Sequence, residues 1–367
     1  LTTAMLTGIR IIEFEGLGPA PFAAMMLADL GAEVTAVQRP GSANPTMGEH
    51  NMLDRGKRAV VLDLKDPGDM AAAKALVNEA DALIEGLRPG VMERLGLGPE
   101  AFAESNPTLV YGRMTGWGQD GPRAHLAGHD YNYIATAGAL YYASTPGDVP
   151  LTPPTIVGDI GGGALYLVAG ILSGLLNAQR TGQGTVVDAA ITDGSAHMMA
   201  LFMAMAGGGN LSQTRGESLL DAPPWGRTYV CADGRYLSVQ CLEPQFYALF
   251  LDLLGLDDDP LFGAQYDRAQ WPEQTARLAA LFAAQPVGHW AALFEGSDAC
   301  VAPVLSPWEA AEDPHIAARA IWHAGEGGLQ PAPAPRFDGQ PLAPNPVPAR
   351  GQDTEAVLDG LRARGLI

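Results

Sequence analysis

Two stretches of this chain carry residue types suited to moving protons. The first is Met114-Thr115-Gly116-Trp117-Gly118-Gln119-Asp120-Gly121-Pro122, followed by Gly128-His129-Asp130-Tyr131-Asn132. His129 stands just before a predicted helix over 131–137. The positive end of a helix disfavours imidazolium, and a neutral imidazole near pH 7 is a usable general base. The second stretch is Val157-Gly158-Asp159-Ile160-Gly161-Gly162-Gly163, ahead of a long predicted helix over 161–180. Asp159 falls at the expected N-cap, a position that aspartate favours for capping alone. The glycines behind it weaken the helix start and leave its amides bare. Asp159, Ile160 and Gly161 are therefore an expected receptor for a negative oxygen. An acid/base carboxylate beside such a receptor is what enolate chemistry needs.

Basic residues add a second kind of chemistry. Gly16-x-Gly18 follows an apolar strand and precedes a helix, as in a dinucleotide-binding turn, but Pro21 stands where the third glycine belongs. The next strand ends in Arg39-Pro40 and not in an acidic residue. Arginine there suits a phosphate, such as the 2′-phosphate of NADP or the 3′-phosphate of CoA. Arg88 follows the strand over 82–86, and Arg55, Lys57 and Arg58 lie between the two. Loops after parallel strands share one edge, so Arg39 and Arg88 are expected to face one ligand, with Arg55 and Lys57 beside them. A single arginine is ordinarily just solvated. Several at strand ends, in a chain of net charge −19, mark a locally basic pocket.

That same charge sets bulk electrostatics against nucleic acid and anionic membrane surfaces. Cys231, Cys241 and Cys300 form no CxxC pair, which opposes a disulfide framework or a cysteine zinc site and fits a reducing cytoplasm. His125 and His129 are four apart, but Pro122 and Gly128 oppose a helix there and no third ligand is in view, so no metal is expected. The N-terminus LTTAMLTGIR lacks the apolar run of a signal peptide, and no uninterrupted run of 18 apolar residues reads as a membrane span; 161–176 comes nearest. His197 lies among Met198, Met199, Met203 and Met205, a pattern of core packing that can also make an adaptable wall for acyl chains.

The elements that must position these residues alternate. Strand signals over 9–14, 33–38, 59–64, 82–84, 108–111 and 186–189 are separated by helical ones over 20–30, 70–79 and 161–180, which implies a parallel α/β sheet. A further helix is expected over 193–206. The pattern breaks at Gly207-Gly208-Gly209 and Pro223-Pro224; a hairpin signal follows around Ala232-Asp233-Gly234. The expected layout is 1–206 as the first part of a large domain, 207–226 as a linker, 227–306 as a small domain, 307–350 as a linker and return segment, and 351–367 closing the large domain.

Taken together, Leu6-Thr7-Gly8-Ile9-Arg10, Ala28-Asp29-Leu30-Gly31-Ala32-Glu33-Val34, Arg55-Gly56-Lys57-Arg58 and Gly158-Asp159 resemble the CaiB–BaiF superfamily of family III CoA-transferases. Met114–Pro122, Gly128-His129-Asp130, Val187-Asp188-Ala189-Ala190, Leu242-Glu243-Pro244-Gln245-Phe246-Tyr247 and Ser297–Val304 resemble its α-methylacyl-CoA racemase branch. The resemblance covers nearly the whole chain. It implies a large Rossmann-like α/β domain built from both termini, a smaller α+β domain, and a homodimer of interlocked rings. The active site would lie where one subunit's large domain meets the other's small domain.

By matching position, His129 and Asp159 become the acid/base pair, Glu243 the carboxylate that supports the histidine, and Arg39 and Arg88 contacts of the CoA phosphates. The implied reaction interconverts (2R)- and (2S)-2-methylacyl-CoA by 1,1-proton transfer through an enolate. CoA enters as part of the substrate, so no separate cofactor is implied. The alternative within the superfamily is an acyl-CoA:carboxylate CoA-transferase with Asp159 as nucleophile. An NADP oxidoreductase is opposed by the missing third glycine, and a non-catalytic acyl-CoA binder is the third alternative, marked by CoA binding without isomerisation. One departure falls at Asp221-Ala222-Pro223-Pro224-Trp225-Gly226-Arg227-Thr228-Tyr229, where the branch carries an aromatic-rich Ala-Pro-aromatic-Tyr-x-Thr-Tyr stretch and this chain lacks the first tyrosine and introduces Arg227.

Overall fold

The computed structural model describes residues 4–41, 45–48 and 50–367. The short apolar runs of the N-terminal half form β1 (Arg10–Phe14), β2 (Glu33–Gln38), β3 (Arg58–Val61), β4 (Ala82–Glu85), β5 (Val110–Thr115) and β6 (Thr185–Ala190). They stand in the order β3-β2-β1-β4-β5-β6, and every neighbouring pair is parallel. This is the doubly wound order. The chain changes direction of growth between β1 and β4, and the loops at the carboxyl ends there open a crevice. The turns carrying Glu15–Gly18, Arg39 and Arg88 all leave from that edge.

The inner strands β1, β2, β4 and β5 are buried on both faces, as their near-continuous apolar runs require, while the edge strand β6 is exposed over much of its length. Alternate residues go to opposite sides: Ile11 and Ile84 join α1 (Pro19–Asp29) on one face, while Ile12 and Leu83 join α2 (Pro67–Asn78) on the other. The chain continues through α3 (Val91–Arg94) and α4 (Asp130–Thr136) to a long helix, whose first part, Ile156–Ala164, has π-helical pairing before it becomes α5 (Leu165–Thr181). By length and composition Ile156–Thr181 is apolar enough to cross a membrane. Leu167, Val168, Ile171 and Leu175 of α5 belong instead to the core on the α1 face of the sheet.

The helix expected over 193–206 is two helices, α6 (Ile191–Met198) and α7 (Ala200–Gly207), which fall in different compact units. One unit contains Leu1–Leu140, Thr152–Met199 and Ala311–Ile367; the other contains Tyr141–Leu151 and Ala200–Ala310. Tyr141–Leu151, expected in the large domain, thus joins the smaller unit. It is held there by Tyr142 Oη, which donates to Ser212 O (2.7 Å), and by Arg215, which donates to Asp148 O (2.8 Å).

The smaller unit has an antiparallel sheet of β7 (Gly226–Val230), β8 (Tyr236–Gln240) and β9 (Val301–Pro303). Packed on it are α8 (Pro244–Leu254), α9 (Trp271–Phe282) and α10 (Val287–Phe294), around an aromatic core that includes Trp225, Phe250, Phe282 and Trp290. After α11 (Pro307–Glu312) and α12 (Pro314–Ala318), the return segment contains a hairpin of β10 (Trp322–Gly325) and β11 (Gly328–Pro331), where the sequence reads as irregular linker. The final helix, α13 (Thr354–Ala363), covers the free edge of the large sheet. Asp353 accepts from Ala59 N (2.8 Å) and Thr354 Oγ1 from Val61 N (2.9 Å), so the open donors of β3 are used.

Candidate active site

His129 precedes α4 and holds an extended backbone, with its amide donating to Asn132 Oδ1 at 3.0 Å. Its ring is exposed. Tyr133, one turn into α4, fixes the loop that carries it. Its hydroxyl donates to Gly128 O, and its ring meets Trp117 edge-on at 4.8 Å between centroids. Gly116 and Trp117 of the Met114–Pro122 motif thus seat this ring, since a Cβ on Gly116 would stand 1.9 Å from Tyr133 Cζ.

Asp159 lies in the same unit and within electrostatic reach of His129, which acts to lower its pKa. Burial does more in the opposite direction, and the neighbouring Asp130 carboxylate adds to it, so Asp159 is raised from 3.8 to about 6. Asp130 is itself buried. Its Oδ1 accepts the Asp159 amide at 2.9 Å, and its Oδ2 is buried without a hydrogen-bond partner. The close passage of the two segments depends on Gly158, because a Cβ there would stand 2.3 Å from Asp130 Oδ1. From the other side the turn after β1 approaches: a Cβ built on Gly18 would be 3.5 Å from Asp159 Oδ2. Arg88, exposed in the turn after β4, lies within electrostatic reach of Tyr133, as Asp159 does.

Three expectations need correction. Asp159 is not the N-cap of the long helix, which begins at Ile156 after Thr155. Nor are the amides of Asp159, Ile160 and Gly161 a bare receptor for an oxyanion. The Asp159 amide is held by Asp130, and Ile160 N donates to Thr155 O at 3.0 Å. The π-helical pairing of Ile156–Ala164 turns the amides that follow back toward carbonyls five residues earlier. The glycines serve packing against α6: a Cβ on Gly162 would be 2.2 Å from Ser195 Oγ, and one on Gly163 2.9 Å from Ile191 Cγ1.

The third correction concerns the basic residues. Arg55 is 2% exposed and forks onto Asp29, with Nη2 to Oδ2 at 2.5 Å and Nη1 donating to Pro331 O at 2.7 Å. Lys57 is fully buried and pairs with Glu13 at 2.5 Å and Asp54 at 3.6 Å. Neither is free to meet a phosphate. Arg39 is different, with its side chain 79% exposed and its Nε 3.4 Å from Glu15 Oε2. The exposed Glu243 belongs to the smaller unit, where it directly precedes α8 and lies within electrostatic reach of the Cys300 thiol. In that unit Arg227 lines a cavity of about 550 Å³ with Arg268, Glu217 and Trp271.

Asp130, Glu15 and Arg350 are absent from the sequence-based set of site residues. Asp130 stands next to His129 within the quoted motif, so the signal was there. Arg350 reaches Glu15 across 335 residues of chain, a pairing that no local pattern reveals.

The fold and this cluster define an α/β protein with a raised carboxyl, that of Asp159, within electrostatic reach of His129 in the unit that holds the parallel sheet. Residues 6–354 match the profile of CoA-transferase family III, and the chain belongs to that family. It is similar to α-methylacyl-CoA racemases, 40% identical to that of Mus musculus and 39% to that of Homo sapiens, each over 96% of this chain and 92% of the relative. It is also similar to the acetyl-CoA:oxalate CoA-transferase of Acetobacter aceti, 31% identical over 90% of this chain and 89% of the relative. The crystal structure of a CaiB/BaiF family protein from Brucella suis superposes with a TM-score of 0.80 at 25% identity, covering 97% of this chain and 98% of that one.

Proposed function

We propose that the protein is an α-methylacyl-CoA racemase, interconverting (2R)- and (2S)-2-methylacyl-CoA. The observation that carries the reading is Asp159, lifted to about 6 within reach of His129. A group that must both give and take a proton near neutrality works best with a pKa close to the working pH. The relatives named as racemases, at about 40% identity over nearly the whole chain, support the same reading.

In the forward direction neutral His129 removes the α-proton of the thioester while protonated Asp159 delivers one to the opposite face. The C–H electron pair passes into the enolate and returns to the α-carbon when the new C–H bond forms. The pair ends as imidazolium and carboxylate, which is the starting state for the reverse direction. One exchangeable proton shared by two groups is thus the competent state. Asp130 maintains it, since its charge opposes early ionisation of Asp159 while its Oδ1 anchors the Asp159 backbone. Arg39 and Arg88 are assigned to the CoA phosphates. Glu243 of the partner subunit would support His129 in a homodimer; in α7 no residue is buried, and exposed Leu201 and Met203 leave an apolar face for a second chain to cover.

The test is α-proton exchange. One enantiomer of a 2-methylacyl-CoA, incubated in D₂O with the enzyme, is expected to gain deuterium and lose optical purity without an acceptor acid. H129A and D159N should each slow this by roughly 10²–10⁴-fold. Absence of exchange, with CoA transfer once a carboxylate acceptor is supplied, would make Asp159 a nucleophile and the protein a CoA-transferase.

A further inference from the structure

At the carboxyl edge of β1 and β2 one acidic residue sits between two arginines. Glu15, just after β1, accepts from Arg39 N at 2.8 Å and from Arg39 Nε at 3.4 Å. Arg350, from the return segment, donates to both oxygens of the same carboxylate, Nη1 to Oε1 at 2.7 Å and Nη2 to Oε2 at 3.0 Å. Arg350 also donates to the carbonyls of Arg39 and Gly41, the latter at 3.1 Å, so one guanidinium ties together the turns after β1 and β2. These residues all belong to one compact unit.

The two arginines differ in what is left over. Arg350 is 21% exposed, with its fork engaged by Glu15 and backbone oxygens, while the Arg39 side chain is 79% exposed and, among the described residues, makes a long contact through Nε alone. The bidentate fork is the stronger partner. Glu15 is accordingly held below the usual glutamate value against the cost of its burial, chiefly by hydrogen bonds from Arg350 and the Arg39 amide. Taken by themselves, Glu15, Arg39 and Arg350 carry a net charge of +1; Asp54 also acts on the inward Arg350, and the exposure puts the uncompensated charge on Arg39.

We infer that Arg350 is a positioning residue for phosphate recognition: by neutralising Glu15 and pinning the Arg39–Gly41 turn, it frees the Arg39 guanidinium for the 3′-phosphate of a CoA thioester. Without Arg350, Arg39 becomes the sole counterion of Glu15 and its charge is consumed inside the protein. The inference rests on the assignment of Arg39 to a CoA phosphate, and the experiment separates the two.

KM and kcat are measured for a 2-methylacyl-CoA and for its 3′-dephospho-CoA counterpart, with the full-length enzyme. R350Q is expected to raise KM for the CoA ester roughly tenfold or more, the range of a hydrogen bond to a charged group, with kcat and the KM of the dephospho ester unchanged. In E15Q/R350Q the carboxylate is gone as well, Arg39 is free again, and KM for the CoA ester returns toward the wild-type value. An R350Q loss shared equally by both esters, or no recovery in the double variant, overturns the positioning role. The Arg39 assignment fails separately, if R39A binds the CoA ester as wild type does or if wild type does not distinguish the two esters. Should R350Q lose its fold, as read by circular dichroism, E15Q decides: with both arginines released it binds the CoA ester at least as tightly as wild type, and selectively weaker binding overturns the inference.

Discussion

Two groups of charges flank the same parallel sheet and obey opposite rules. Arg55 with Asp29 and Lys57 with Glu13 are closed internal pairs, nearly or wholly removed from water. At the site the charges are unbalanced: Asp159 stands against a second carboxylate, and Arg39 keeps most of its guanidinium in solvent. The internal pairs hold the turn before β3 to β1 and α1. The unbalanced ones have free energy left for a ligand or a proton. A basic residue type is therefore poor evidence of phosphate binding until its partner is known.

The comparison breaks most sharply at Lys57. Lys57→Met strands Glu13 in the core, and removing one partner of a buried pair costs about 3–5 kcal/mol. Urea denaturation at pH 8 should show a loss of that size, and a smaller one at pH 5, where Glu13 takes up a proton. Arg39→Met, at an exposed pair, should change stability by about 0.5 kcal/mol or less. Equal losses in the two variants would erase the distinction.

Much of the fold was legible because the sheet is built from local signals. The apolar runs at 9–14 and 33–38 and the turn residues behind them place β1 and β2 almost to the residue. The surroundings of His129 and Asp159 were legible only in part: His129 does follow β5 in a glycine-rich loop, whereas Asp159 reads as a helix cap and lies inside the helical segment Ile156–Ala164. What could not be read were the long-range partners. Arg55 and Lys57 look like pocket residues until Asp29 and Glu13 fold against them. The glycines at 161–163 look like an anion receptor until α6 packs on them. The break at Met199 was hidden because Met, Ala and Leu, good helix formers, dominate 198–206 on both sides of it, and only tertiary packing divides the stretch between units.

The buried carboxylates give the wild-type protein a pH signature. Burial raises Glu13 from 4.5 to about 6 and Glu85 from 4.5 to about 7, each more than its cationic partner lowers it. The folded state then binds these protons more tightly than the unfolded state. Stability should fall as pH rises from about 4.5 to about 7, by on the order of 4 kcal/mol. Glu15, lowered by its arginines, acts in the opposite sense, adding stability above its unfolded value that is lost on acidification. Denaturation midpoints between pH 4.5 and 7.5 test the sum, and E85Q should flatten the decline. A slope unchanged in E85Q would mean that Glu85 is ionised throughout, neutralised by Arg113.

The smallest effect tests the site side of the comparison. Asp130→Asn keeps an oxygen to accept the Asp159 amide and removes the like charge that helps to raise Asp159. In the proposed mechanism the active state of the pair holds one proton, so activity falls on the acid side when the second proton is taken up. With Asp130 neutral, Asp159 gives up its proton more readily, and the acid limb of the pH–rate profile should move to lower pH. The shift is smaller than the full displacement of Asp159, because burial is the larger cause and remains. By the same reasoning D130N should leave KM for the CoA ester unaltered, since Asp130 neutralises no phosphate contact. A limb that stays in place while kcat falls at every pH would assign Asp130 to holding the backbone alone, and the raised carboxyl of Asp159 would then be the work of burial.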